Sequence, residues 1–204
     1  MGRAARWLHG RWTLPVAALA VLAGAVAVWV VAGRVTKPNA LESRLAGIQE
    51  LAPGDRVACE GVRAQRPLVL LVLGQSNAGN HGEPSATPGL PQVLVTQAGA
   101  CGLSGDPLPG GTGRGASPWP LLRGQLAPAR TASPVVIQLL AVDASALQDW
   151  IGDGSALRHR LTTMLAASKA TGLAPALVLW QQGEADAQRG TSEEDYRRGL
   201  LALR

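Results

Sequence analysis

Two short polar blocks, each directly behind an apolar run, hold the residues of this 204-residue chain best suited to chemistry. The first is Gly74-Gln75-Ser76-Asn77, which follows the six apolar residues 68–73. The second is Trp180-Gln181-Gln182-Gly183-Glu184-Ala185-Asp186, which follows the apolar stretch 176–179. Ester cleavage by a serine needs a nucleophilic hydroxyl, a base with a group that orients it, and donors for the tetrahedral oxyanion. Ser76 offers the hydroxyl. Its amide, beside that of Asn77 at the start of the next turn, offers a donor, and the Gln182 side chain offers another if the two runs are adjacent strands. Glu184 either orients a histidine or braces the loop, and Gln75 and Asn77 are expected to hold the loop in shape. Alone, Ser76 and Asn77 would be ordinary turn and cap residues. The second block gives them a chemical context.

The elements that must place these groups follow from the pattern. Residues 68–73 have the length and composition of a buried parallel strand. Ligands of open α/β sheets bind beyond the carboxyl ends of the strands, where Ser76 falls. Further strands are expected at 93–95, 134–140 and 175–179, with an amphipathic helix over 155–171 that Gly172 stops. This alternation predicts an α/β fold with a doubly wound parallel sheet.

Gly-Gln-Ser-Asn followed by Trp-x-Gln-Gly-Glu-x-Asp resembles the SGNH-type hydrolases, in particular the sialate O-acetylesterase and acetylxylan esterase branch. The resemblance spans residues 66–204 and implies a flavodoxin-like three-layer sheet. It also implies a serine-dependent carbohydrate O-acetylesterase with no metal and no organic cofactor, acting on acetylated carbohydrate. It makes Ser76 the nucleophile and Glu184 a possible acidic member. The oxyanion hole would comprise Ser76, Gly115 and Gln182, with Gly113 in reserve for Gly115. The family's catalytic histidine comes from an Asp-x-x-His block behind a fifth strand, and neither the block nor the strand is present in this sequence. The three histidines stand elsewhere: His9 near the N-terminus, His81 five residues past Ser76, and His159 on the solvent side of its helix. The alternative function is therefore a catalytically dead, SGNH-like carbohydrate-binding or envelope-associated protein.

Charge and composition set the remaining bounds. Residues 1–44 hold six basic residues against one acidic, whereas the other 160 carry thirteen of each. The high pI thus reports the N-terminus and gives no argument for nucleic-acid binding. Residues 13–32 are uncharged and long enough, at ~1.5 Å per residue, to cross a ~30 Å hydrocarbon core. With Arg3, Arg6 and Arg11 ahead of it, this segment is expected to be a single-pass signal anchor in the cytoplasmic membrane. Its N-terminus would lie inside and the domain would be periplasmic or extracellular. The chain then divides into an anchor (1–35), a membrane-proximal connector (36–66) and the esterase-like domain (67–204). In the connector, Leu41, Leu45, Ile48 and Leu51 recur at helical spacing up to Pro53-Gly54. Cys59 and Cys101 are the only cysteines and are either one disulfide of an exported domain or two buried thiols. Residues 102–118, rich in Gly and Pro, are expected to form a long loop, and 80–91 a surface loop. Gly110 to Gly115 lacks the Gly-Lys-Ser/Thr ending of a phosphate-binding loop.

Overall fold

The apolar run behind Gly74 becomes the centre of a sheet. In the computed structural model, which describes residues 40–83, 92–126 and 134–203, six strands lie in the order β1-β4-β3-β5-β2-β6. They are β1 (Arg56–Val57), β2 (Leu68–Gly74), β3 (Val93–Gln97), β4 (Ala100–Ser104), β5 (Val135–Ala141) and β6 (Leu177–Gln181). Every residue of β2 and β5 is buried, as expected of strands covered on both faces. β2 runs parallel to β5, with Gly74 opposite Ala141, and parallel to β6, with Gly74 opposite Gln181.

The fold is α/β, but the sheet is mixed. β3 and β4 form an antiparallel hairpin, and β1 adds an antiparallel rung to β4. The hairpin turns through Ala98 and Gly99, both at positive φ, which suits the right-handed twist of its strands. The reading of 102 onward as loop missed β4 because Gly102 sits in mid-strand. A Cβ there would lie 2.6 Å from Leu51 Cδ1 and 2.8 Å from the Asp55 carbonyl, so the glycine records a close approach. The four parallel strands, numbered by sequence, stand in the order 2-3-1-4, which differs from the 2-1-3-4-5 of a flavodoxin-like sheet.

Among the described residues seven helices complete the layers: α1 (Ala40–Leu45), α2 (Cys59–Ala64), α3 (Trp119–Leu126), α4 (Leu147–Ile151), α5 (Ala156–Ala170), α6 (Glu184–Arg189) and α7 (Glu193–Leu203). Leu68, Leu70, Val72, Ile137 and Leu139 face Ala78, Leu108, Trp119 and Leu122 on one side. Leu71, Leu73 and Leu140 face Trp150, Leu157, Leu161 and Leu203 on the other. The chain thus leaves β2 toward one face and β5 toward the opposite face, which opens a crevice between their carboxyl ends. Trp150 and Trp180 meet edge to face within this second core, with centroids 5.2 Å apart. β6 is an edge strand, and Leu177 and Val178 are 51% and 60% exposed, pointing to opposite faces.

Residues 40–66, the described part of the expected connector, belong to the same compact unit as the sheet. The helix expected through Leu51 ends at Leu45, and Ile48 and Leu51 are buried in extended chain, where the Leu51 amide donates to Gln97 Oε1 at 2.6 Å. Cys59, at the start of α2, is bridged to Cys101 in β4. The segment 13–32, expected to span a membrane, lies outside the described residues. Among those that are described, no helix is long and apolar enough to cross one.

Candidate active site

Ser76 opens a single 3-10 turn, Ser76–Ala78, at the carboxyl end of β2. Gly74 makes the turn possible, because a Cβ there would stand 1.9 Å from the Gln181 carbonyl oxygen. Ser76 is half-buried, and among the described residues its hydroxyl has no hydrogen-bond partner. The first amides of a helical turn have no acceptor within it. Those of Ser76 and Asn77 accordingly have no acceptor among the described residues, while Ala78 and Gly79 bond back to Gln75 and Ser76. A hydroxyl beside two unpaired N–H groups is the local geometry that nucleophilic attack on a carbonyl requires.

The second block lies against the first, as adjacent strands dictate. Gln75, only 4% exposed, accepts from the Ala185 amide at 3.1 Å and from Gln182 Nε2 at 3.4 Å through its Oε1. Asn77 Nδ2 donates to Glu184 Oε1 at 2.5 Å, and Gln181 Nε2 donates to the same oxygen at 3.1 Å. Burial works to raise the Glu184 pKa, but bonds from its own backbone amide, Asn77 and Gln181 outweigh it and hold the carboxyl below its usual 4.5. Glu184 therefore braces the serine loop, and it does so through the Asn77 side chain.

Two expected oxyanion donors are otherwise engaged. The Gly115 amide donates to the Asn80 carbonyl at 2.8 Å, and the backbone there is so close-packed that a Cβ would stand 2.1 Å from the Gly82 carbonyl oxygen. Gly113, named in reserve, keeps its amide free. Gln182 Nε2 donates to Asp186 Oδ2 at 2.6 Å and to the Ser145 carbonyl at 2.9 Å, so the longer 3.4 Å contact to Gln75 Oε1 shares one of its two hydrogens and none is left over. Its Oε1 accepts from the Tyr196 hydroxyl at 2.8 Å. Burial lifts the Tyr196 pKa above its usual 10, and the charges of Asp186 and Glu184 add to this against the bond from Trp180, so the phenol stays protonated. Gln182 is a strut that ties the end of β6 to the Ser145 carbonyl, α6 and α7, and the amides left free among the expected donors are those of Ser76 and Gly113, with that of Asn77 beside them.

Two buried polar residues, Asp186 from the second block and Asn80 beyond the first, hold the surrounding segments in place. Asp186, 4% exposed, accepts from Gln182, from the Leu147 amide at 2.8 Å and from Thr191 Oγ1 at 2.9 Å. Asn80, fully buried, donates to the Leu108 and Gly111 carbonyls and accepts from the Leu108 amide at 2.8 Å. Asn80 thereby ties residues 108–113 over the strand ends, so neither this segment nor Asn80 is surface loop. The only sequence cue was its position four residues past Ser76.

The described histidines do not meet the serine. His81 is exposed and its Nε2 pairs with Thr112 Oγ1 at 3.1 Å, while His159 is exposed on α5. His9 lies outside the described residues. Beyond β5, Ala144 is held at φ 50°, and its carbonyl accepts from Arg44 and, at 3.5 Å, from Arg189. No group of three or more metal-ligating side chains occurs among the described residues. Compared with known proteins, the chain matches no family model and no curated protein.

Proposed function

We propose that this chain is an ester hydrolase of the SGNH type that removes O-acetyl groups from carbohydrate, with Ser76 as nucleophile. The observation that carries the reading is the unpartnered Ser76 hydroxyl beside the free amides of Ser76 and Asn77, at the point where β2 and β5 diverge. In this scheme the serine oxygen bonds to the acetyl carbon, the sugar oxygen departs with a proton, and water then releases acetate from the acyl-serine. Each amide donor aimed at the oxyanion is worth ~2.7–4 kcal/mol of transition-state stabilisation. The family and the acetylated-sugar substrate rest on the two motif blocks. The same reading tethers the domain outside the cytoplasmic membrane through residues 13–32.

A second reading is a carbohydrate-binding protein with no turnover. It is favoured by the engagement of His81 with Thr112 and of Gln182 with Asp186, which leaves no described imidazole against the serine. Acetate release from acetylated xylan and p-nitrophenyl acetate separates the two, together with phosphonate labelling located by mass spectrometry. The hydrolase reading expects labelling at Ser76 and a loss of at least ~10³-fold in Ser76→Ala. Undiminished hydrolysis by Ser76→Ala would end it.

A further inference from the structure

A polar cleft of about 400 Å³ opens at the same carboxyl end of the sheet. It lies where residues 110–113 cross the ends of β5 and the Asn80 turn. Its lining includes Arg44, Glu50, Thr112, Gly113, Arg114 and Asp143. Much of this polarity is unused. Arg114 and the side chains of Glu50 and Asp143 have no partner among the described residues. Arg44 Nε is buried without an acceptor. Gly113 is fixed at φ 91°, its backbone pressed so near Asn80 that a Cβ would stand 2.2 Å from the Asn80 carbonyl oxygen. Its N–H is thus a free donor held in one direction.

We propose that this cleft is a binding subsite for a neutral, hydroxyl-rich ring, that is, an unacetylated sugar unit. Formal charge decides the ligand class. The lining holds two arginines and two carboxylate residues, so its charges balance and it favours neither a bare anion nor a bare cation. What it offers is alternating donors and acceptors, and a hydroxyl is both at once. Vicinal hydroxyls donate to Asp143 and accept from Arg114 and the Gly113 amide. The volume falls within the range of small-molecule sites, roughly 300–1,000 Å³. The cleft adjoins the serine turn through the Asn80–Gly113 bridge and through the His81 bond to Thr112, whose hydroxyl also accepts from the Asp143 amide at 2.9 Å. The inference deepens the carbohydrate reading above and rests on it for its link to hydrolysis.

The test is calorimetric titration of the full chain with xylotriose, N-acetylglucosamine, glucuronate and inorganic phosphate, at low and at high salt. Asp143→Asn and Arg114→Ala are the variants of choice, because neither side chain holds the fold together. A neutral sugar should bind with an affinity that salt leaves unchanged. Each variant should weaken it by about fivefold or more, while Ser76→Ala stays within about twofold. The proposal is overturned if neither neutral sugar binds at up to about 10 mM. It is equally overturned if only the anions bind and salt abolishes them, or if both variants bind like the parent. Sugar binding without acetate release would leave the subsite standing and remove the hydrolase. Acetate release without neutral-sugar binding would do the reverse.

Discussion

Replacing Gly74 by alanine tests the joint between the two halves of the site. The added Cβ would lie 1.9 Å from the Gln181 carbonyl oxygen and 2.9 Å from Ala78 Cβ. Reaching an ordinary contact of ~3.4 Å requires β2 and β6 to part by roughly 1.5 Å at their carboxyl ends. That movement breaks the 3.1 Å bond from the Gln75 amide to the Gln181 carbonyl, a net loss of ~1 kcal/mol. Overpacking adds ~1–3 kcal/mol. The expected destabilisation is therefore ~2–4 kcal/mol, or roughly 5–15 °C in melting temperature for a unit of this size. Urea unfolding followed by tryptophan fluorescence measures it, since Trp180 is on the displaced strand. A displacement of ~1 Å also costs about 10²-fold in catalysis, so ester hydrolysis should fall further than the fraction folded. Gly61→Ala is the control: it lies inside α2 with nothing within 4 Å of the new Cβ, and it should stabilise slightly. A Gly74→Ala protein that melts within about 1 kcal/mol of the parent would refute the close strand approach on which the site is built.

Reducing the Cys59–Cys101 bridge opens a loop of 42 residues and should cost about 4 kcal/mol in the chain-entropy account. Urea midpoints with and without reductant, the comparison repeated in Cys59→Ser, should show the gap only in the parent. Glu184 has a folded pKa below its unfolded value, so its contribution to stability is complete above about pH 4.5 and disappears as pH falls through the lower folded value. The stability gap between the parent and Glu184→Gln should accordingly narrow between pH 5 and pH 3, and a gap constant over that range would contradict the bonding described. Ala144→Gly relieves a left-handed residue at a cost of some chain entropy, for a net gain of about 0.5–1 kcal/mol. Thermal denaturation should show the midpoint rise, and a fall would mean that the turn is not strained.

The central strands could be read in advance because their signal is local. Six apolar residues ahead of Gly74 need only neighbours on both faces, and that places Ser76 at a strand end whatever those neighbours are. The hairpin partner β4 was hidden because its mid-strand glycine is explained only by Leu51 and Asp55, some fifty residues earlier in the sequence. Gln182 shows the same limit within the site. Its residue type and spacing suggested a donor, but its hydrogens are taken by Asp186 and the Ser145 carbonyl, 37 residues distant. Buried polar residues such as Asn80 and Asp186 look like turn formers until their partners are known. Composition was also a poor guide to residues 108–113, where a segment rich in Gly and Pro is pinned by the Asn80 side chain and by backbone bonds to Gln49 and Ala141.

Among the described residues β6 has a neighbour on one side only, which has a practical consequence for anyone handling this domain. Its five residues, Leu177 to Gln181, include no lysine, proline or other charged or kinked position of the sort that normally discourages a passing backbone from zipping on. With Leu177 and Val178 open to solvent on opposite sides, the strand is a ready template for an incoming β-segment. Preparations of the chain should therefore become turbid with rising concentration, and a single Val178→Lys change should keep them clear without altering the serine turn at the far end of the strand.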